Sequence, residues 1–211
     1  MSRPAPARDR LLDAALGVIR AKGFSATSVD DLCAAAGVTK GAFFHHFESK
    51  EALGVAAADH WSEVTGAFFA AAPYHAPADP LERVFGYLAF RREIIEGDLP
   101  EFTCLVGTMA QELHQTSPAI TAACEASISA HSARVEADIA AAMRERGLDP
   151  EGTTRGWSAK GLSLHMQAVL QGAFILAKAT GGPDIARESV DHLIRYVQLL
   201  FKLPEKEGAS P

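Results

Sequence analysis

Long apolar runs, paired cysteines and strand-like alternation are all scarce in this 211-residue chain. The longest uncharged stretch of its last third, Gly161 to Ala177, is 17 residues and is interrupted by His165, Gln167 and Gln171. That is too short and too polar to span a bilayer comfortably, so no membrane partner is expected. The opening residues carry no apolar leader, only an arm with Arg3, Pro4, Pro6, Arg8 and Arg10. Three cysteines, an odd number and widely separated, argue against a disulfide scaffold and for a reducing, cytoplasmic setting.

The chemistry of catalysis is equally thin. No Gly-rich phosphate loop and no nucleophile elbow is present, so the sequence predicts no enzyme. His60 and Glu63 lie one turn apart, as do Glu188 and His192, and His75, His114, His131 and His165 are scattered. There is no Glu-x-x-His, no His-Glu-x-x-His and no cysteine pair at ligand spacing. Surface or pocket-lining histidine is the expected reading, with no metal and no cofactor.

What the chain does have is helical periodicity from end to end. Leu11, Leu12, Ala15, Leu16 and Ile19 predict a first helix stopped at Gly23. Ser28 followed by Asp31 reads as a capping box opening a second helix through Val29, Leu32, Cys33 and Ala36. Gly37 supplies the left-handed residue of a sharp turn, and Thr39 caps a third helix of about two turns. Ser49 then caps a long fourth helix with Leu53, Ala57, Trp61, Val64 and Phe68 on one stripe, ending before Pro73. A linker to Pro80 leads to a fifth helix, a sixth beginning near Phe102, and a seventh from Pro118 to about Arg146. An eighth from about Thr154 to Thr180 and a ninth from Pro183 to Lys202 complete an all-α reading of about nine helices.

Charge is divided along the chain. The net charge of −6 splits into +2 for residues 1–50, with seven Lys/Arg against five Asp/Glu, and −8 for the remainder, with 13 against 21. A basic head on an acidic body is expected when one end docks on phosphate and the other should not. Within that head, residues 37–50 place Lys40, His45, His46 and Lys50 beside capping hydroxyls and open helix amides. A lysine in the first turn of a helix gains nothing from the helix dipole, which favours anions there. An external anion is the simplest reason for the grouping, and a phosphate backbone fits. Three short helices with a tight turn before the third form a helix-turn-helix whose third helix is the natural reader of the major groove.

Residues 8–53 resemble the DNA-binding domain of the TetR family of bacterial transcriptional regulators. The match is carried by Thr27-Ser28-Val29-Asp30-Asp31-Leu32, by Gly37-Val38-Thr39-Lys40-Gly41-Ala42-Phe43-Phe44-His45-His46-Phe47, and by Ser49-Lys50-Glu51-Ala52-Leu53. The resemblance implies that Lys40, Gly41, Ala42, Phe44 and His45 face bases or the groove wall. Ser28, Thr39, His46 and Lys50 would hold phosphates of a palindromic double-stranded operator. Phe44 stands where the family usually has tyrosine, leaving apolar contact in place of a phenolic one.

The same resemblance implies residues 1–50 as reading domain and 51–211 as an antiparallel helical bundle for ligand binding and dimerisation. A small-molecule effector of unknown identity would be lined by Trp61, Tyr87, Phe90, Cys104, Met109, Glu112, His114 and His131. Leu162, Val169, Ala173, Leu176, Val190, Leu193, Ile194, Val197 and Phe201, with Gly172, mark the two last helices as the homodimer seam. Cys104 opens the sixth helix, a setting that favours thiolate, and is similar to the cysteine of electrophile-sensing members. The expected function is a repressor released by its effector. An activator, a thiol-based sensor acting through Cys104, and a carrier with a structural helix-turn-helix remain open alternatives.

Overall fold

The computed structural model describes residues 5–153 and 156–201, and among these every regular element is helical. The helices are α1 (Ala7–Lys22), α2 (Val29–Ala36), α3 (Lys40–His46), α4 (Lys50–Ala70), α5 (Pro80–Glu93), α6 (Leu99–Phe102), α7 (Leu105–Leu113), α8 (Pro118–Glu145), α9 (Ala159–Thr180) and α10 (Asp184–Leu200), with a 3-10 turn at Pro73–His75. The all-α expectation is met. The proposed start at Thr154 and end at Lys202 lie outside the described residues.

The tenth helix is a single turn, α6, that precedes the expected start of the sixth near Phe102. Asp98 and Glu101 form a capping box, with the Asp98 N–H donating to Glu101 Oε2 at 2.7 Å. Thr103 Oγ1 then donates back to the Leu99 carbonyl at 2.7 Å, and extended backbone at Thr103 and Cys104 ends the single turn. Cys104 caps a fresh helix, its sulfur accepting the Gly107 N–H at 3.4 Å.

Two compact units are present. The first comprises residues 1–72 with 97–134, the second 73–96 with 135–211. Compactness therefore divides the chain elsewhere than at residue 50, because α7 and the start of α8 pack with the N-terminal helices. Leu11, Ile19, Leu32, Phe43, Leu53, Leu105, Met109 and Ile120 share one apolar core, each almost wholly buried. Burial follows the helical period in α1 and α2 but departs from it in α4. There Leu53 and Ala57 are buried while Val64 and Phe68, expected on the same stripe, are exposed.

In the second unit α9 packs on α10 and α10 on α5. Arg83 pairs with Asp138 at 2.8 Å, Arg146 with Asp79 at 2.7 Å and Arg92 with Asp191 at 2.6 Å. Arg146 holds the Asp79 carboxyl below the usual carboxylate range. Of the residues expected at the dimer seam, Leu162, Ala173, Val190, Leu193, Val197 and Phe201 are buried within the unit, Val169 and Ile194 are half-buried and Leu176 is exposed. The outward stripe lies beside them, with Leu164, Ala168, Ile175 and Leu176 exposed on α9 and Tyr196 and Leu199 on α10. A helix has two flanks to every stripe, and periodicity alone does not say which one meets the chain's own core.

Candidate nucleic-acid interface

The turn between α2 and α3 is built by local chemistry. Gly37 adopts φ 61 and ψ 42, the left-handed region that a side chain would strain. Its N–H reaches Ala34 and the Val38 N–H reaches the Cys33 carbonyl at 3.0 Å, closing the end of α2. Arg10 Nη1 donates to the Ala36 and Gly37 carbonyls, each at 3.2 Å, so α1 fixes the turn from outside. Sequence spacing had not marked Arg10 for this; 26 residues separate it from Ala36, and only the fold closes that distance.

Caps set the helix starts. Asp31 N–H donates to Ser28 Oγ at 3.1 Å and Ser28 N–H to Asp31 Oδ2 at 2.7 Å, the expected capping box. Lys22 joins Asp31 at 2.7 Å, and this ion pair together with Ser28 holds the Asp31 carboxyl well below the usual carboxylate range. Thr39 Oγ1 accepts the Ala42 N–H at 3.1 Å, and Ser49 Oγ accepts that of Ala52 at 3.0 Å.

Phe43 and Phe47 anchor α3 in the core, their rings 5.8 Å apart. With that face turned inward, Lys40, Gly41, Phe44, His45 and His46 are exposed, as are Ser28 and Thr39; Ala42 is half-buried. Phe44 is 56% exposed and packs edge-on against Phe43 at 5.2 Å. Lys40 Nζ sits 2.9 Å from Asp30 Oδ1, a pair on the open surface that raises the lysine's pKa. Asp30 was not among the expected site residues.

Lys50 is placed differently from the expectation. Its ammonium donates to the Phe24 carbonyl at 3.1 Å and the Thr27 carbonyl at 2.9 Å and lies 4.5 Å from the Phe24 ring centroid. It ties α4 to the α1–α2 connection.

The expected effector residues are divided between the two units. Tyr87 is buried in the second unit and accepts from Gln167 Nε2 at 3.4 Å; Phe90 packs against Tyr74 in the same unit, ring centroids 5.8 Å apart. In the first unit Trp61 lies under the Arg20 guanidinium at 5.0 Å, and His131 packs on Phe69 at 4.8 Å. Met109 is enclosed by the core and His114 is exposed. Glu112 accepts the Ser25 N–H at 2.7 Å, on the reading head. Cys33 and Cys124 are buried; burial raises both thiols, and with Cys104 nearby Cys124 is pushed up to about 12. Cys104 is half-buried. Among the described residues no cluster of three or more metal-ligating side chains occurs, and no helix is long and apolar enough to cross a membrane.

Residues 11–57 match the family described as bacterial regulatory proteins, tetR family, and residues 80–185 match the LmrA/YxaF-like transcriptional regulator C-terminal domain. The chain belongs to the TetR family and is a TetR-type transcriptional regulator, not an enzyme. It is similar to the HTH-type transcriptional repressor DhaR of Mycobacterium sp. (strain GP1), 31% identical over 54% of this chain and 56% of that protein. It is similar also to the HTH-type transcriptional repressor KstR2 of Mycolicibacterium smegmatis, 42% identical over 25% of each. The chain thus spans about half or less of the curated relatives it matches. A TetR regulatory protein from Rhodobacter sphaeroides shares the fold, with TM-score 0.77 at 23% identity over 91% of this chain and 99% of that one.

Proposed function

We propose that the chain is a cytoplasmic repressor that binds a palindromic operator as a homodimer and leaves it when a small molecule occupies the C-terminal region. Residues 1–50 read DNA; residues 51–211 bind the effector and dimerise. The observation that carries the reading is the outward face of α3. The phenylalanines that stabilise it point inward, and Lys40, Phe44, His45 and His46 are left together on the surface beside the Ser28 and Thr39 caps. Gly41 and Ala42 keep the helix thin enough for its backbone to approach a groove. The repressor names of the two curated relatives support the direction of control.

Fluorescence anisotropy with duplex DNA from around the protein's own gene tests this. Lys40→Ala is expected to weaken binding and to shallow the log-log salt dependence by about one unit. Unchanged affinity and slope would remove Lys40 from the interface. Tyr87 and Gln167, a buried polar pair, are the first residues to substitute when a ligand-induced thermal shift has been found. A thiol-triggered version is favoured by one observation, the half-buried sulfur of Cys104 at the cap of α7. In that version an electrophile abolishes operator binding by wild type and not by Cys104→Ser; equal sensitivity of the two ends it.

A further inference from the structure

The connection between α1 and α2 is gripped from two sides by opposite charges. Glu112 of α7 accepts the Ser25 N–H at 2.7 Å across 87 positions of sequence. Lys50 of α4 donates to the carbonyls on either side of that residue's turn, Phe24 at 3.1 Å and Thr27 at 2.9 Å. Gly23 completes the fit. It holds φ 87, and a Cβ there would collide with the Glu112 carboxylate, so the backbone leaves the room that the carboxylate fills. Inside the connection Thr27 Oγ1 donates to the Gly23 carbonyl at 2.6 Å, which keeps the chain folded while both jaws hold it.

What the grip positions is the reading head. Ser28, one residue past the connection, is the cap of α2, and Lys50 is the first residue of α4, four past the end of α3. The start of α2 and the end of α3 are therefore referenced to one short stretch of backbone, and that stretch to α7. A carboxylate is suited to the task because a charge-assisted bond to a backbone N–H is shorter and stronger than a neutral one.

We infer that Glu112 is a positioning residue for operator binding, holding the α1–α2 connection against Lys50 so that α2 and α3 present their caps and side chains in register. The inference rests on the operator reading above. It assigns Glu112 to the head rather than to an effector, and Lys50 to the clamp.

The test uses the full-length protein and the operator duplex identified by wild-type anisotropy. Glu112→Leu removes the acceptor; Glu112→Gln keeps a carbonyl oxygen in its place. Glu112→Leu is expected to bind about tenfold more weakly with an unaltered salt slope, and Glu112→Gln to recover most of the loss. Lys50→Met is expected to weaken binding, because it loses the opposing jaw of the clamp. Amide exchange in the free proteins, followed at Ser25, is expected to quicken in Glu112→Leu and to stay near wild type in Glu112→Gln. This readout needs no DNA and shows whether the variants keep the rest of the fold. Operator affinity of Glu112→Leu within twofold of wild type would overturn the inference, as would equal loss in the Leu and Gln variants. Operator affinity of Lys50→Met within twofold of wild type would overturn its second half. Failure of wild type to bind any such duplex would overturn the operator reading itself and the clamp's role with it, a result distinct from the others.

Discussion

Phe44 is the residue where this chain departs most visibly from its family's usual pattern. Lacking a hydroxyl, its half-exposed ring can gain from DNA only by covering apolar surface, and the thymine methyl is the apolar group of the major groove. Burying one methyl is worth about 0.8 kcal/mol, a factor of about four in affinity. Replacing thymine by deoxyuridine at the contacted position is therefore expected to weaken wild-type binding by about that factor and to leave Phe44→Ala unaffected. Anisotropy titrations with a uracil-scanned operator measure it; no sensitive position would remove Phe44 from base reading. The family resemblance led to Phe44, and an aromatic ring beside Phe43 in a helix of seven residues cannot share its buried face. The partner of Lys40 was not legible in the same way. Asp30 lies ten positions away on another helix, and only the Gly37 turn brings its carboxylate oxygen to 2.9 Å from the Lys40 ammonium nitrogen.

At the scale of the element, α2 depends on its first turn. Eight residues make a helix that is marginal alone, so loss of a cap is felt. Ser28→Ala is expected to cost about 1 kcal/mol, lowering the melting temperature by about 2–4 °C for a chain of this size. Asp31 adds a pH dependence with a definite sign. Its folded-state pKa is depressed, chiefly by Lys22 and then by Ser28, from an ordinary value of 3.8. Its stabilisation is complete above that ordinary value and is lost as pH falls through the lower folded one. Asp31→Asn should therefore melt below wild type at pH 7, with the gap closing toward pH 2. A gap that is constant with pH in paired thermal melts would show the ion pair to be idle. Caps were readable in sequence at Ser28, Thr39 and Ser49 because each bonds an amide three residues on. The break between α6 and α7 was missed although its signal, Asp98 and Glu101 around Pro100, is of the same local kind.

Across the whole molecule the exposed apolar stripe of α9 and α10 sets the expected assembly. Leu164, Ile175, Leu176, Tyr196 and Leu199 are each at least 42% exposed, a set that a lone chain in water has no reason to align. Two copies joined there would carry two α3 helices, and a two-fold pair reads half-sites about one helical turn apart, roughly 34–36 Å. Light scattering at micromolar concentration is expected to give twice the 22.4 kDa of the chain. Leu199→Asp, at a position 69% exposed and so free of internal packing, is expected to give monomers and to abolish tight operator binding. A monomeric wild type, or a dimeric Leu199→Asp with unaltered affinity, would reject this seam.

The sequence by itself determined the helical class and the helix-turn-helix. Each depends on contacts within about four residues, where periodicity, caps and a left-handed glycine act directly. Tertiary structure alone decided which apolar side chains of α9 turn outward, since Leu164, Ile175 and Leu176 compete with Leu162, Leu170 and Phe174 for one core. It also decided that Lys50 and Glu112 meet the α1–α2 connection from opposite sides. Those bonds join residues 23 and 87 positions apart, and no local preference of the chain encodes a distance that only the packed core brings to bonding length.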